Sequence, residues 1–126
     1  MSVISTNSAC KVDDTRDDSV IVVIVNHNSS DWLARCVAGL KQQTLEPLRT
    51  IIVDNNSQDG SLAEALESDR DIEVHRLETN TGFAAANNYA FGLDLDCEWV
   101  ALLNPDAIPD PGWLEEDGGL LQRGVF

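Results

Sequence analysis

The chain has 126 residues and fits a single domain. Its hydrophobic fraction of 43% and charged fraction of 24% are those of an ordinary globular protein and exclude disorder throughout. Eight Lys+Arg stand against 22 Asp+Glu, a net charge of −14, which argues against nucleic acid and anionic membrane surfaces as partners, because both are held by basic patches.

The longest apolar run, Val20-Ile21-Val22-Val23-Ile24-Val25, is far short of the ~20 residues a bilayer-spanning helix needs. Residues 1–18 are polar and acidic, with Asp13, Asp14, Asp17 and Asp18 and no apolar central region. They read as a disordered acidic lead-in rather than a signal peptide. Cytoplasm is the expected compartment. Cys10, Cys36 and Cys97 are odd in number and lack metal-ligand spacing, so no disulfide framework is expected.

From Val20 the pattern becomes that of a folded domain, taken as residues 19–126. The run from Val20 to Val25 is β-branched without alternation, which predicts a strand buried on both faces. Asn26-His27-Asn28-Ser29-Ser30 breaks it, with Ser30 as expected N-cap of the next helix. Leu33, Cys36, Val37 and Leu40 then fall on one helical face, and the helix should end near Gln43, with Pro47 blocking continuation. Thr50-Ile51-Ile52-Val53 predicts a second buried strand, and Leu62, Ala65 and Leu66 a short helix capped by Ser57 or Ser61. Ile72 to Leu77 alternates as an edge strand does. Phe83, Ala86, Asn87 and Ala90 mark one stripe of a third helix. Trp99-Val100-Ala101-Leu102-Leu103 is a fourth strand, and a last helix is expected from about 112 or 113 to 121.

Strands alternating with helices predict an α/β fold: a parallel sheet with helices on both faces. The expected strand order is 3-2-1-4. Ligands in such sheets bind beyond the carboxyl ends of the strands, where the order reverses. Each turn-rich segment here follows a strand, so all should gather on one rim.

Three segments on that rim carry polar chemistry. Asp54-Asn55-Asn56-Ser57 follows the second strand. Asp54 either accepts a hydrogen bond from a ligand N–H or, with Asn55 and Asn56, merely turns the chain; Asn55, Ser57 and Ser61 read as structural. In Thr79-Asn80-Thr81-Gly82-Phe83, Gly82 suits a positive-φ turn or a close backbone approach. Asn87 lies on an otherwise apolar stripe and needs a hydrogen-bond partner, expected in a neighbouring strand-end loop. Asn104-Pro105-Asp106 ends the fourth strand. Asp106 is a turn residue or a ligand to Mg²⁺ or Mn²⁺, which commonly take only one or two protein carboxylates beside phosphate oxygens and water.

Together, Ile24-Val25-Asn26-His27-Asn28, Val53-Asp54-Asn55-Asn56-Ser57-Gln58-Asp59-Gly60-Ser61, Asn80-Thr81-Gly82-Phe83-Ala84-Ala85-Ala86-Asn87-Asn88 and Leu103-Asn104-Pro105-Asp106 resemble the family two nucleotide-sugar glycosyltransferases of the GT-A fold, especially the rhamnosyltransferase-like branch. The resemblance covers about residues 20–115. It implies a Rossmann-like N-terminal half that binds a pyrimidine nucleotide-sugar, a UDP- or dTDP-sugar, for inverting transfer to an acceptor hydroxyl. Val25 and Asn26 would line the nucleobase pocket through their backbone, Asp54 would contact the base, and Asn80, Gly82 and Asn87 would line the nucleotide site. Asn104-Pro105-Asp106 stands in the place of the family's Asp-X-Asp motif, with Asp106 holding Mg²⁺ or Mn²⁺ on the diphosphate and the neutral amide of Asn104 at the first acidic position. A net charge of −14 repels a free nucleotide, but the Debye length is only ~8 Å at physiological salt, so a local cation can dominate.

Family members continue well past this length, and their later half supplies the acceptor site and the catalytic base. No base is therefore assigned here, and the chain is expected to be a donor-binding part that is inactive alone. With the later strands missing, Trp99 to Leu103 should be an apolar sheet edge, which predicts a homo-oligomer. The competing expectation is a non-catalytic nucleotide-binding or assembly module on the same rim. A nicotinamide dehydrogenase is disfavoured by the lack of a G-x-G-x-x-G turn after the first strand, and a receiver domain by Asn26 and His27 where paired acids belong.

Overall fold

A computed structural model describes residues 2–5, 20–93, 95 and 99–114. Among these residues the strands and helices follow one another as β1 (Ser2–Ser5), β2 (Val20–Asn26), α1 (Trp32–Lys41), β3 (Arg49–Asp54), α2 (Ser61–Ser68), β4 (Glu73–Arg76), α3 (Phe83–Phe91) and β5 (Trp99–Leu103). They form one sheet in the order β1-β5-β2-β3-β4. The four strands expected from the apolar runs are all parallel, and their order β4-β3-β2-β5 is the predicted 3-2-1-4.

Strand periodicity divides the core into two layers. Val22 and Ile24 of β2, Ile52 of β3 and Ala101 and Leu103 of β5 pack with Leu33, Cys36, Val37 and Leu40 of α1 and Ala65 of α2. The alternate residues Ile21, Val23, Ile51, Val53 and Val100 pack against Ala86 and Ala90 of α3. Small residues let α3 lie close to the sheet. β2 is buried along almost its whole length, as an unalternating apolar strand in a covered parallel sheet must be.

Residues 2–5, expected in a disordered lead-in, instead form β1, antiparallel to β5 with Ser2 opposite Leu102 and Ser5 opposite Trp99. Trp99–Leu103 is therefore an interior strand, paired on both sides. The exposed edge that predicted a homo-oligomer is covered within the chain, because β1 takes up the backbone donors and acceptors that would have sought a second copy.

Helix ends differ from expectation in small ways. Asp31, not Ser30, precedes α1, and Ser30 sits at φ 54°. Gly60, not Ser57 or Ser61, precedes α2, at φ 80°. Phe83, the first residue of α3, is exposed rather than on its buried stripe, which is made by Ala86, Asn87 and Ala90. The expected last helix shows its first residues, Trp113 and Leu114, both buried; its remainder lies outside the described residues. No helix among the described residues is long and apolar enough to cross a membrane.

Candidate functional site

Parallel strands end at the same level when their register is even. Asn26 is paired with Asp54, and Asp54 with Arg76, so the last residues of β2, β3 and β4 form a row along the carboxyl rim. A period of two puts Asn26 and Asp54 on the side of Ile24 and Ile52, the α1/α2 side. Both side chains are fully buried, so their polar atoms must be paired inside the chain. Asn26 Nδ2 donates to Asp54 Oδ1 at 2.9 Å and shares its hydrogens with the hydroxyls of Ser57 at 3.1 Å and Ser61 at 3.0 Å. Asn26 Oδ1 accepts from the Ser29 hydroxyl. Asp54 Oδ2 accepts from the backbone N–H of Ser57 at 2.9 Å. Arg76 Nη2 donates to the Ser57 carbonyl at 2.9 Å, and its Nε stands 3.8 Å from Asp54 Oδ2.

The network extends through the two loops beyond it. The Asn28 N–H donates to Ser57 Oγ at 2.9 Å, the Gln58 N–H to Asn28 Oδ1 at 2.8 Å, and the Ser30 N–H to Asp59 Oδ2 at 2.8 Å. Asp59 also accepts from the Ser61 N–H at 3.0 Å. The Ser61 hydroxyl and then its N–H hold its carboxyl below the usual range, outweighing an opposing effect of desolvation, with a lesser contribution from the Ser30 N–H. Asn28, Ser30 and Asn56, the non-glycine residues at positive φ among those described, all lie in these loops. Such conformations persist where surrounding bonds over-determine them.

Asn55 faces the other way. One residue beyond Asp54, it points to the α3 side, where its Oδ1 accepts from the Thr81 N–H at 2.9 Å and hydroxyl at 3.1 Å, and its Nδ2 donates to the Gly82 carbonyl at 3.1 Å. Gly82 has φ 90° and ψ 166°, a region open essentially to glycine alone. Asn80 Oδ1 accepts from the Gly82 N–H at 3.0 Å, closing the turn. His27 Nδ1 lies 2.8 Å from the Asn55 carbonyl, an oxygen that can only accept, so Nδ1 carries the proton.

The residues singled out in the sequence thus reach one rim but divide in role. Asp54, expected to touch a ligand, has no exposed surface and is committed to Asn26, Ser57 and Arg76. Val25 lies in the ladder opposite Val53, with its side chain against the α3-side core, and the Asn26 carbonyl accepts from the Asn55 N–H at 2.7 Å. Asn87 does not tie down a strand-end loop: its Nδ2 donates to the Phe83 carbonyl one turn earlier in α3, at 3.2 Å. Asn80, Gly82, Asn104 and Asp106 are exposed. Asn55, expected only to turn the chain, instead bridges to the 80–82 turn, and Arg76 joins the rim without having been a candidate. Alternation past the end of β3 is the signal that could have separated Asn55 from Asp54; nothing in the sequence marks Arg76.

Residues 104–107 follow β5, beside the β2 loop. The Asn104 carbonyl accepts from the Ala107 N–H at 3.0 Å and from the Cys36 thiol at 3.7 Å. Burial, and then the negative charge of Asp106, push the Cys36 thiol up to about 12, so it stays protonated and able to donate. No group of three His, Cys, Asp or Glu side chains that could hold a metal occurs among the described residues. One exposed carboxylate and a neighbouring amide suit an octahedral oxygen-loving cation that brings phosphate and water ligands with it. The donor set is thus of the kind that Mg²⁺ or Mn²⁺ takes when other oxygen ligands complete its shell. A groove of about 440 Å³ lined by Leu40, Lys41, Pro47, Arg49 and Asp71 lies at the other end of the sheet and contains none of these residues.

Comparison with known proteins gives a consistent result. Residues 21–117 match the family model described as glycosyl transferase family 2. The chain is 30% identical over 107 residues to an uncharacterized glycosyltransferase, YwdF, of Bacillus subtilis, covering 85% of this chain and 40% of that one. It is 25% identical over 100 residues to an uncharacterized glycosyltransferase of Haemophilus influenzae, covering 77% of this chain and 31% of the relative. It thus spans well under half the length of these relatives. Among solved structures, S. aureus TarS 1-349 in complex with UDP-GlcNAc superposes with a TM-score of 0.71 at 21% identity, over 83% of this chain and 31% of that chain. The mannosyltransferase PcManGT from Pyrobaculum calidifontis, in complex with GDP-Man and Mn²⁺, superposes with a TM-score of 0.60 at 21% identity, over 80% of this chain and 33% of that chain.

Proposed function

The chain belongs to glycosyl transferase family 2, and from that premise we propose that it is the donor-binding part of an inverting transferase, gripping a pyrimidine nucleotide-sugar at the carboxyl rim of its sheet. The observation that carries this reading is the convergence of four segments, each after a different parallel strand, on that rim. Val25 and the backbone of Asn26 lie at its base, with the buried side chains of Asn26 and Asp54 beneath them. Asn55 holds the 80–82 turn, so that Asn80 and Gly82 face the nucleotide, with Asn87 behind them in α3. Asn104 and Asp106 hold the cation on the diphosphate. When bound, that cation offsets the charge that grows on the leaving diphosphate.

The buried row supplies stiffness rather than contact. Asn26, Asp54, Ser57 and Ser61 fix the loops in advance, so little ordering remains to be done when ligand arrives. UDP and UDP-GlcNAc in TarS complexes favour a pyrimidine donor; GDP-Man in PcManGT makes guanosine diphosphate the control. Because relatives are more than twice as long, the acceptor site and catalytic base are assigned to sequence outside these 126 residues, and transfer by this chain alone is not expected.

Calorimetric titration tests this. UDP or dTDP should bind, tighter with Mn²⁺ than without, and Asp106→Ala should remove the Mn²⁺ dependence while leaving metal-free binding. Absence of nucleoside diphosphate binding under both conditions would overturn the reading. Binding together with sugar transfer by the chain alone would overturn only the assignment of inactivity.

A further inference from the structure

After β5 the chain turns at the rim and runs back along α1 as a strap, residues 104–111. Contacts from Cys36, Gly39, Gln43 and Thr44 fasten it and the residues just after it. The Asn104 carbonyl lies 3.7 Å from the Cys36 thiol. Pro109, buried, lies over Gly39. Gln43 Nε2 donates to the Asp110 carbonyl at 2.6 Å, and its Oε1 accepts from the Leu114 N–H at 3.0 Å. The Thr44 N–H donates to the Pro111 carbonyl at 2.8 Å. Asp106 sits between the first two of these fastenings, three residues before Pro109.

Gly39 is the informative member. A glycine inside a helix costs about 1 kcal/mol relative to alanine, so its presence in α1 needs a reason. A Cβ there would lie 2.9 Å from Pro109 Cδ and 3.3 Å from Pro109 Cγ. Ordinary carbon contacts are about 3.5–4.0 Å, and a proline ring cannot swing aside, so the strap would have to lift from the helix.

We infer that Gly39 and Gln43 are positioning residues for the cation site: by clamping the strap to α1 (Gly39) and to the turn that follows it (Gln43) they set where Asp106 presents its carboxylate. This rests on the donor-site reading above, which gives Asp106 the cation. Loss of an outer contact that orients a metal ligand typically lowers metal affinity about 10–100-fold. The helix itself tolerates the change, because alanine favours it.

The test measures Mn²⁺ binding to the UDP-loaded protein by electron paramagnetic resonance, and UDP binding without metal by calorimetry. Gly39→Ala should weaken Mn²⁺ binding about tenfold and leave metal-free UDP binding unchanged. The double variant Gly39→Ala/Pro109→Ala removes the clashing ring atoms and should restore Mn²⁺ affinity. Gln43→Ala, which frees the end of the strap by another route, should show the same split and serves if Gly39→Ala does not fold. Gly39→Ala or Gln43→Ala proteins that bind Mn²⁺ as the parent does would overturn the inference. So would loss of metal-free UDP affinity in step with that of Mn²⁺, or a double variant no better than the single. Asp106→Ala separates the two readings. If it leaves Mn²⁺ binding intact, the cation assignment falls and the inference with it; if it abolishes binding while Gly39→Ala does nothing, the inference alone falls.

Discussion

Asn26 and Asp54, the last residues of two neighbouring parallel strands, meet side chain to side chain at 2.9 Å with neither exposed to solvent. A fully buried carboxylate is tolerated only when its oxygens are paired, and Asn26 is the side-chain donor that does this while also reaching Ser57 and Ser61. Asn26→Leu keeps the branched outline of the side chain and removes the donor, although its methyl groups are bulkier than the amide. It leaves Asp54 Oδ1 and two hydroxyls short of a partner, at a cost of about 1–3 kcal/mol for the buried acceptor alone. Urea unfolding should show a midpoint lowered to match. A variant as stable as the parent would show that the row is not what holds the rim.

Asn55 makes a separate prediction on the opposite side of the sheet. Its amide is the bridge between the end of β3 and the 80–82 turn, accepting from Thr81 and donating to Gly82. Asn55→Asp keeps the acceptor for Thr81 but sets a carboxylate against the Gly82 carbonyl. The turn should loosen, and hydrogen exchange at the Thr81 and Gly82 amides should rise. UDP affinity should fall about tenfold, the loss of one hydrogen bond to a well-placed group. Asn55→Asp with native exchange and native affinity would remove the turn from the site.

These two residues also show what the sequence made legible. The apolar runs were long and β-branched, so strand identity, parallel pairing and the order of four strands could be read from hydrophobic content and topology rules. The rim followed, because loops after parallel strands share one end of the sheet. Division of labour on the rim did not follow. Asp54 and Asn55 are adjacent and chemically similar, and only the pleat sends one into the α1/α2 layer and the other toward α3. Arg76 was invisible for another reason: it acts on a carbonyl and a carboxylate 19 and 22 residues back in the chain, Ser57 and Asp54, and no local pattern encodes such a pairing. β1 has only four residues, too few to show a period in the sequence.

The covered edge of β5 predicts its own behaviour. Residues 2–5 supply the partner for Trp99–Leu103. Removing residues 1–5 uncovers an apolar strand with a row of unpaired donors and acceptors, the arrangement that drives edge-to-edge association. Sedimentation velocity should show the truncated protein forming larger species at concentrations where the parent does not. Equal behaviour of the two would mean that β1 is not the element protecting this edge.

Cys36 gives a pH dependence whose sign can be worked out. Its thiol is raised from an ordinary 9.0 to about 12, first by burial and then by the negative Asp106. The folded state therefore binds this proton more tightly than the unfolded chain does. Where the unfolded state holds fewer protons, stability falls with rising pH. The contribution of Cys36 is complete below pH 9 and is lost as pH climbs from about 9 toward 12. Urea melts should show that loss in the parent and a smaller one in Cys36→Ala, whose stability is lower at neutral pH but flatter above it. Thiolate is the reactive form, so iodoacetamide at pH 8.5 should leave Cys36 unmodified in folded protein and modify it after unfolding, read by peptide mass mapping to separate it from Cys10 and Cys97. Asp106→Asn removes one of the two causes and should move the onset of Cys36 alkylation to lower pH. An unchanged onset would place the Asp106 carboxylate too far from α1 for the strap to carry it where the contacts of Asn104 and Pro109 indicate.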